Sequence, residues 1–247
     1  MTEAVMEAIG IAKTLGDGAG QVQALKGVNL SLAGGELALL MGPSGSGKTT
    51  LLSVLGCIMA PTEGAVRIRG HSTEGMTPEQ LAALRRDHIG FIFQSYHLFP
   101  TLNAVDNVRL ALDVRGDRSQ NAYDRSVEAL AAVGLAHKID SHPRELSGGE
   151  QQRVAIARAI VGKPGAILAD EPTAALDSHN GHAIMSVLAD IAKNSERGVL
   201  VVTHDPRTVP YADRIIRIED GEIVGEEHND EAKKAEAKKA ARSSKKP

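Results

Sequence analysis

Eight consecutive residues constrain the fold of this chain more than any other feature of the sequence. They match the pattern G-x-x-x-x-G-K-[ST] at every position, and they are Gly42, Pro43, Ser44, Gly45, Ser46, Gly47, Lys48 and Thr49. The apolar run 37–41 before them predicts a buried strand, and residues 50–55 after them predict a helix. Because the motif requires a strand, a loop and a helix in this order, the sequence predicts an α/β fold.

This loop is a predicted phosphate-binding site. Backbone N–H groups of residues 44–49 would surround the α- and β-phosphates, Lys48 would reach the β- and γ-phosphates, and the Thr49 hydroxyl would bind Mg²⁺. Thr50, the next residue, belongs to the same predicted nucleotide site. A glycine-rich turn that merely joins a strand to a helix is the alternative, and the complete match in the right context argues against it.

Two acidic residues end a second predicted strand. Four apolar residues, 166–169, are followed by Asp170 and Glu171, and ligands of open α/β sheets bind at the carboxyl ends of strands. We expect Asp170 to hold Mg²⁺ through water and Glu171 to orient or deprotonate an attacking water. A third apolar run, 199–202, is closely followed by His204, which is placed to contact a γ-phosphate.

A second anion site is predicted at the start of a helix. Ser147 and Glu150 form the S-x-x-E pattern of a capping box. Gly148 and Gly149 carry no side chains, so a phosphate can approach the exposed backbone N–H groups closely. Since the loop at Lys48 already binds phosphate, this second site must serve another nucleotide or another face of the same one.

Taken in order, these motifs resemble the ATPase subunit of ABC transporters, over roughly residues 8–225. Gln94 matches the Q-loop of the family, residues 146–150 match its signature, Asp177 matches its D-loop, and His204 matches its switch histidine. The resemblance adds Gln94 to the predicted Mg²⁺ ligands and to the catalytic set of Glu171 and His204. It also implies that Gln94 links this site to a membrane partner.

The resemblance further implies an active site shared between two copies. Two cassettes would close head to tail around two ATP molecules, as a homodimer or a paired cassette. Ser147 and Gly149 of one copy would then contact the γ-phosphate held by Lys48 of the other, with Gly148 and Glu150 in the same signature segment.

The implied fold is a P-loop NTPase (RecA-like) core with an antiparallel β subdomain and an inserted helical subdomain. We expect the ATPase domain to span 1–225, with the core and β subdomain in 1–94 and 155–225 and the helical subdomain in about 95–154. The charged residues that follow, 226–247, are predicted to form a disordered tail.

Three stretches resemble one sub-class of the family, which comprises lipoprotein-release, macrolide-export and heterocyst-glycolipid-export ATPases; they are 89–94, 202–205 and 212–216. The implied function is ATP binding and hydrolysis that powers a separate integral-membrane transporter, an exporter or a lipid or lipoprotein extractor. The alternative is an ATPase that drives a force-transmitting complex without transport, such as a cell-division regulator.

Two other family members fit less well. DNA-repair and chromosome ATPases carry coiled coils or zinc modules between the two motifs, and the 99 positions from Lys48 to Ser147 leave no room for them. We therefore expect no nucleic-acid partner. Translation factors of the family carry two cassettes on one chain, whereas this chain carries one.

Four of the six aromatic residues fall within nine positions around Gln94. Aromatic side chains are favoured anchors of protein interfaces, and the resemblance places this loop in the groove that receives a transporter's coupling helix. We therefore predict that Tyr96, Leu98 and Phe99 dock the membrane partner.

Length and composition agree with a peripheral subunit. The sequence has no pattern typical of a signal peptide and no apolar run of the ~18 residues that a membrane span needs. Its one cysteine excludes an internal disulfide and is typical of a reducing compartment. The expected location is the cytoplasmic face of the inner membrane. The basic segment 232–247, with seven Lys or Arg and one Glu, is a candidate contact for anionic lipid.

One position departs from the family pattern. The family usually places an aromatic ring about 30 residues before the P-loop lysine, where the ring stacks on adenine. Leu15 falls near that place, and residues 1–90 contain no Phe, Tyr or Trp. Because an aliphatic side chain supplies only part of the ~1–3 kcal/mol of base stacking, we expect weak recognition of adenine at Leu15.

Overall fold

The computed structural model describes residues 4–229. They form ten strands and six α-helices, with short 3₁₀ turns between some of them. The strands are β1 (Ala4–Leu15), β2 (Val22–Ala33), β3 (Leu37–Met41), β4 (Glu63–Ile68), β5 (His71–Ser72), β6 (Ile89–Ile92), β7 (Ala166–Asp170), β8 (Gly198–Val202), β9 (Arg214–Glu219) and β10 (Glu222–His228). The α-helices are α1 (Lys48–Leu55), α2 (Pro78–His88), α3 (Ala104–Val114), α4 (Ala122–Ala132), α5 (Gly148–Ile160) and α6 (Ser178–Ala192).

A six-stranded sheet forms the centre of the fold, in the order β10-β9-β3-β8-β7-β6. The five strands from β9 to β6 are parallel, and β10 pairs antiparallel at one edge. The carboxyl ends of β3, β7 and β8 therefore meet at one side of the sheet. These are the three strands that the sequence predicts to end in functional residues.

Both faces of this sheet are covered, which explains why its strands are continuous apolar runs rather than alternating ones. Leu39, Val201 and their neighbours pack against helices α3 to α6. Leu40, Val202 and their neighbours pack on the opposite face against α1 and the second sheet. The P-loop strand is thus buried on both sides and held at a fixed position.

The second sheet is antiparallel, with the order β2-β1-β4-β5, and it is the predicted antiparallel β unit. Helices α3, α4 and α5 pack together as the predicted helical unit. The predicted boundary at residue 154 falls inside α5, which continues unbroken from Gly148 to Ile160. This helix therefore joins the helical layer to the core rather than separating them.

The last strand extends beyond the predicted end of the domain at residue 225. β10 continues to His228, so the predicted disordered tail begins too early in the sequence. Two ion pairs hold this charged segment on the sheet, Arg214 Nη1 to Glu226 Oε2 at 2.8 Å and Arg217 Nε to Glu227 Oε1 at 3.0 Å. These pairs add to the backbone pairing with β9 and to the packing of Ile223 against the core.

Arg214 also connects the two sheets. Its Nε donates to Glu36 Oε1 at 2.6 Å, and its Nη2 donates to the carbonyl oxygen of Ser31 in β2. The side chain is only 8% exposed, and the paired carboxylates keep the pKa of Arg214 raised in spite of the burial. A planar guanidinium with several donors is suited to such a junction.

Candidate functional site

The phosphate-binding loop lies between β3 and α1. Helix α1 begins at Lys48, two residues earlier than predicted, because Gly47 adopts a left-handed conformation (φ 97°) that starts the helix at once. Close approach of the backbone also requires glycine at Gly42 and Gly47. A Cβ atom on Gly42 would lie 2.0 Å from the carbonyl oxygen of Ile218, and one on Gly47 would lie 2.6 Å from that of Ala24.

The lysine of the loop is nearly buried. Lys48 is 9% exposed, and its Nζ donates to the carbonyl oxygens of Gly42 and Pro43 at 2.8 and 2.6 Å. The ammonium group therefore lies inside the curve of the loop, beside the backbone N–H groups that precede α1. This geometry suits the binding of a phosphate chain.

Asp170 and Thr49 supply a candidate Mg²⁺ site. The Thr49 hydroxyl lies near Asp170 and partly offsets the rise in the pKa of its carboxyl group. Burial and the nearby charge of Glu171 raise the pKa of Asp170. Its Oδ1 is buried and has no hydrogen-bond partner within residues 4–229, so this oxygen is free to bind a cation or its water.

These residues fit a magnesium ion shared with phosphates. Within the described part of the chain, no group of three or more His, Cys, Asp or Glu residues is arranged to hold a metal. Mg²⁺ is commonly bound by one or two protein oxygens together with substrate phosphates and waters, rather than by a complete protein cage. A hydroxyl and one carboxylate beside the loop match that pattern.

Glu171 and His204 form a pair at the ends of neighbouring strands. His204 Nδ1 lies 2.7 Å from Glu171 Oε1. Glu171 adopts a left-handed backbone conformation (φ 45°), and its N–H donates to the carbonyl of Val202 at 2.9 Å. The Glu171 side chain is 17% exposed and that of His204 is 71% exposed. The carboxylate is therefore fixed in place, whereas the imidazole faces the open side of the site.

One groove of about 1030 Å³ brings most of the predicted residues together. Its lining includes the predicted residues Leu15, Gly42, Pro43, Ser44, Gly45, Gly47, Lys48, Thr49, Thr50, Gln94, Glu171 and His204. Ser46 does not line the groove; its buried Oγ has no hydrogen-bond partner in the part of the chain that the structure describes. The residues from β1, β3, β7 and β8 thus converge as the sequence predicts.

The groove also includes residues that the sequence reasoning missed. They are Val22, Gln23 and Ala24 at the start of β2, Lys26, Ala174, and Asp220 and Gly221 in the β9–β10 turn. Val22 pairs with Leu15 across the β1–β2 hairpin and is 64% exposed. An exposed valine opposite Leu15 makes this end of the groove aliphatic. Val22 can be recognised as a groove residue only from its pairing with Leu15 in the hairpin, because no local sequence motif indicates it.

The signature residues lie outside this groove. Ser147 caps α5 with both bonds of the capping box, Ser147 N to Glu150 Oε2 at 2.8 Å and Glu150 N to Ser147 Oγ at 3.3 Å. The predicted box is therefore present. None of the four residues from Ser147 to Glu150 lines the groove at Lys48, so one chain does not bring its two anion-binding segments together.

Both signature glycines pack against side chains from outside α5. A Cβ atom on Gly148 would lie 2.9 Å from the hydroxyl of Tyr96, and one on Gly149 would lie 2.6 Å from Oδ1 of Asn180. Asn180 in turn donates from its N and Nδ2 to the Asp177 carboxylate at 2.9 and 2.7 Å. These bonds lower the pKa of Asp177. The D-loop residue Asp177 thus caps α6 and holds Asn180 against the signature.

Known proteins of one family match this chain. The model of the family described as ABC transporter matches residues 25–174. A macrolide export ATP-binding/permease protein MacB from Shewanella sp. (strain W3-18-1) is 43% identical over 234 residues, which is 95% of this chain and 36% of that protein. The MacB protein of Salmonella choleraesuis (strain SC-B67) is 42% identical over 96% of this chain and 37% of its own length. The chain therefore spans about a third of the length of these curated relatives.

This chain belongs to the ABC transporter family. Its part in that family is the ATP-binding, ATP-hydrolysing cassette. The dimeric structure of MJ0796, a bacterial ABC transporter cassette, superimposes with a TM-score of 0.82 at 43% identity and covers 90% of this chain and 98% of its own. A second dimeric structure of that cassette, a post-hydrolysis state bound to ADP and Pi, has a TM-score of 0.81. CbiO1 of Clostridium perfringens has a TM-score of 0.82 at 27% identity over 97% of this chain and 93% of its own.

The residues predicted to dock the membrane partner of this ABC cassette lie on different surfaces. A second groove of about 870 Å³ lies between α2, β6 and α3, and of the three predicted residues only Phe99 lines it. Tyr96 points toward Gly148 instead, and Leu98 packs against the core. His97, which the prediction omitted, does line this groove.

A reversal of the backbone explains this arrangement. Tyr96 and His97 both have left-handed conformations (φ 59° and 48°). Arg158 of α5 donates to their carbonyl oxygens at 2.7 and 2.5 Å. The two consecutive left-handed residues turn Tyr96 away from the groove and His97 into it.

The remaining predictions concern membrane spans and the basic segment at the end of the sequence. Within residues 4–229, no helix combines the length and apolar character needed to cross a bilayer. The basic segment 232–247 lies outside the described residues.

Proposed function

We propose that this ABC ATPase powers a separate integral-membrane transporter of the export type, and that two copies share each ATP site. The observation that carries the proposal is the separation of its two anion-binding segments. The groove around Lys48 contains the P-loop, Glu171 and His204, whereas Ser147 begins a helix outside that groove. A second copy supplies the missing signature. The dimeric structures of a related cassette support this arrangement.

The residues of one chain divide the chemistry among them. Lys48 and the backbone N–H groups of the loop bind the phosphates, and the left-handed backbone at Glu171 fixes its carboxylate, which accepts a proton from the attacking water. His204 faces the groove beside Glu171, where its ring can contact the γ-phosphate. His204 Nδ1 lies 2.7 Å from Glu171 Oε1. Each side chain therefore helps to hold the other at the phosphate end of the groove.

Mg²⁺ would be held by Thr49, Asp170 and Gln94. The ion would neutralise phosphate charge during hydrolysis. The buried, unpaired Oδ1 of Asp170 and the nearby Thr49 hydroxyl support the assignment. Gln94 lines the same groove at its exposed side, where it stands between the phosphate site and the loop that leads to Phe99.

A mixing experiment tests the shared site. Lys48→Ala and Ser147→Ala are each combined with Glu171→Gln, which blocks hydrolysis, and bound ATP is measured after rapid gel filtration with Mg²⁺. Each variant alone should retain no ATP, because every site in its homodimer contains one defect. A mixture should retain about one ATP per two chains, because one site of the mixed dimer combines the intact Lys48 with the intact Ser147.

ATP retention by the Ser147 variant alone would contradict the shared site. If Ser147→Ala alone retains as much ATP as its Glu171→Gln parent, the signature does not contact the partner's nucleotide and the shared site is wrong. Circular dichroism of each variant verifies that it is folded.

The export-type assignment rests on the relatives. The MacB proteins are named for macrolide export and as ATP-binding/permease proteins, and a cassette like theirs needs a permease partner. We propose that this partner docks in the groove lined by His97 and Phe99, which places the cassette peripherally on the cytoplasmic face of the cell membrane. The transported molecule is then an exported compound, a lipid or a lipoprotein.

Co-purification tests the docking groove. Phe99→Asp should abolish recovery of the membrane partner, because a charge replaces an apolar anchor that is 51% exposed. Tyr123→Asp is the matched control, since Tyr123 is an aromatic residue of similar exposure (41%) that does not line the groove. Equal loss with both variants would contradict docking at Phe99. A recovered partner that moves no substrate in vesicles would favour the force-transmitting alternative.

We also propose that the basic segment 232–247 contacts anionic lipid beside the membrane partner. Its surplus of positive charge supports this, since each basic residue near an anionic surface contributes up to ~1 kcal/mol. Deletion of residues 230–247 should weaken binding to vesicles that contain phosphatidylserine and leave basal ATP hydrolysis intact. Unchanged vesicle binding at low salt would exclude the contact.

A further inference from the structure

The proton of the signature serine is already engaged within its own chain. Ser147 Oγ lies 2.9 Å from Glu150 Oε2, and the backbone N–H of Ser147 donates to the same oxygen at 2.8 Å. An ionised carboxylate can only accept, so the hydroxyl donates its one proton to Glu150. The lone pairs of Ser147 Oγ accept from Glu150 N at 3.3 Å.

Glu150 carries its charge at neutral pH. The hydrogen bonds from the backbone and side chain of Ser147 lower the pKa of this carboxyl group, and Lys138 and Arg153 lower it further. Lys138 Nζ is 4.0 Å from Glu150 Oε1, at the limit of an ion pair, and both side chains are partly exposed. Such pairs contribute little, so Lys138 compensates the negative charge of Glu150 only weakly.

We propose that Glu150 opposes ATP-driven closure of the dimer and so promotes its reopening. This inference rests on the proposed function, in which Ser147 contacts the γ-phosphate held by the partner chain. To donate to a phosphate oxygen, the Ser147 hydroxyl must leave Glu150. The carboxylate then loses a donor at the moment when a second anion arrives beside it, and both changes favour the open form.

The charge of Glu150 can be separated from its role as a helix cap. The capping box accepts Glu or Gln at this position, because either oxygen receives the N–H of Ser147. Glu150→Gln therefore keeps the start of α5 intact and removes only the negative charge. Each closed dimer contains two signatures, so the effect of one substitution is counted twice in the dimer dissociation constant.

The experiment measures that constant with ATP and Mg²⁺, by sedimentation or light scattering, in the Glu171→Gln background that prevents hydrolysis. Glu150→Gln should tighten the dimer by about five-fold to ten-fold at low ionic strength, the range expected for two weak, partly exposed charge repulsions. The gain should shrink as salt is raised, because salt screens a charge repulsion. A cap effect would not change with salt.

Two matched variants sharpen the test. Lys138→Gln removes the compensating cation and should weaken the dimer, because the repulsion grows. Glu150→Ala removes both the charge and the cap, and its helix content shows by circular dichroism how much of any change is structural. A dimer that is unchanged or weaker with Glu150→Gln would overturn the inference.

Ser147→Ala in the same background distinguishes this failure from failure of the proposed function. If Ser147→Ala abolishes the ATP-bound dimer and Glu150→Gln fails to tighten it, only the role of Glu150 is wrong. If Ser147→Ala dimerises like its parent, the signature does not contact ATP, and both proposals fall.

Discussion

The two anion-binding segments of this cassette are built in different ways. The P-loop follows β3, a strand buried on both faces, and two of its glycines, Gly42 and Gly47, approach backbone carbonyl oxygens of β9 and β2. The signature begins the helix α5, and its glycines approach the side chains of Tyr96 and Asn180. The first segment is therefore rigid, whereas the second rests on groups that can change rotamer. The segment that we propose binds nucleotide within one chain is preformed, and the segment that we propose contacts the partner's nucleotide is adaptable.

The largest expected effect lies on the rigid side and concerns Glu171. Glu171→Gln should lower ATP turnover by about 10²–10⁴-fold, because the attacking water loses the carboxylate that accepts its proton. ATP binding should persist, and an ATP-bound dimer should accumulate, visible by light scattering with Mg²⁺. Near-normal hydrolysis, or a monomer with ATP present, would show that another residue positions the water.

A glycine of the rigid loop should be the next most sensitive position. Gly42→Ala places a Cβ atom 2.0 Å from the carbonyl oxygen of Ile218, and the buried strand cannot retreat. We expect a loss of about 1–3 kcal/mol in the free energy of unfolding, measured by urea denaturation. If Gly42→Ala has the same free energy of unfolding as the wild type, the loop can accommodate a methyl group and is not rigid.

The corresponding change in the signature should cost less stability. Gly149→Ala meets the Asn180 side chain at 2.6 Å, which must give up its 2.7 Å bond to Asp177. The loss should be about 0.5–1.5 kcal/mol, the usual contribution of one hydrogen bond. The double variant Gly149→Ala, Asn180→Ala should lose less free energy of unfolding than the sum of the two single losses, because Asn180→Ala removes the side chain that the new methyl group meets. Strict additivity of the two losses would mean that the contact is unimportant.

The smallest effect is expected at the aliphatic end of the nucleotide groove. Leu15→Tyr should tighten ATP binding severalfold, since a ring would stack on adenine beside Val22. Wild-type protein should discriminate poorly between ATP and GTP in equilibrium binding. Val22→Tyr is a control at the paired position of the hairpin. Strong preference for ATP in the wild type, with no change in Leu15→Tyr, would mean that other groups hold the base.

The sequence predicts the rigid side well because its determinants are local. An apolar run, a complete P-loop and two acids at a strand end are short patterns, and the parallel sheet necessarily brings their ends together. The capping box at Ser147 is equally local, and the structure contains both of its bonds.

The residues whose positions the sequence does not predict depend on long-range contacts, or on backbone conformations that no local motif indicates. Tyr96 and Leu98 lie outside the groove lined by His97 and Phe99, where Tyr96 and His97 adopt left-handed conformations and Arg158 binds their carbonyl oxygens. Val22 joins the groove only through hairpin register. The predicted end of the domain at residue 225 lies before the end of β10, because Glu226 and Glu227 are polar yet pair with arginines of β9 on the sheet.

The buried guanidinium group of Arg214 affects how the two sheets can move relative to each other. One guanidinium binds Glu36 ahead of β3, Glu226 in β10 and the backbone of Ser31 in β2. Any torque that separates the two sheets must strip a buried cation of its partners, which is among the costlier local changes in a protein. The buried Arg214 side chain therefore resists separation of the two sheets on the side of the core that carries β3 and the P-loop.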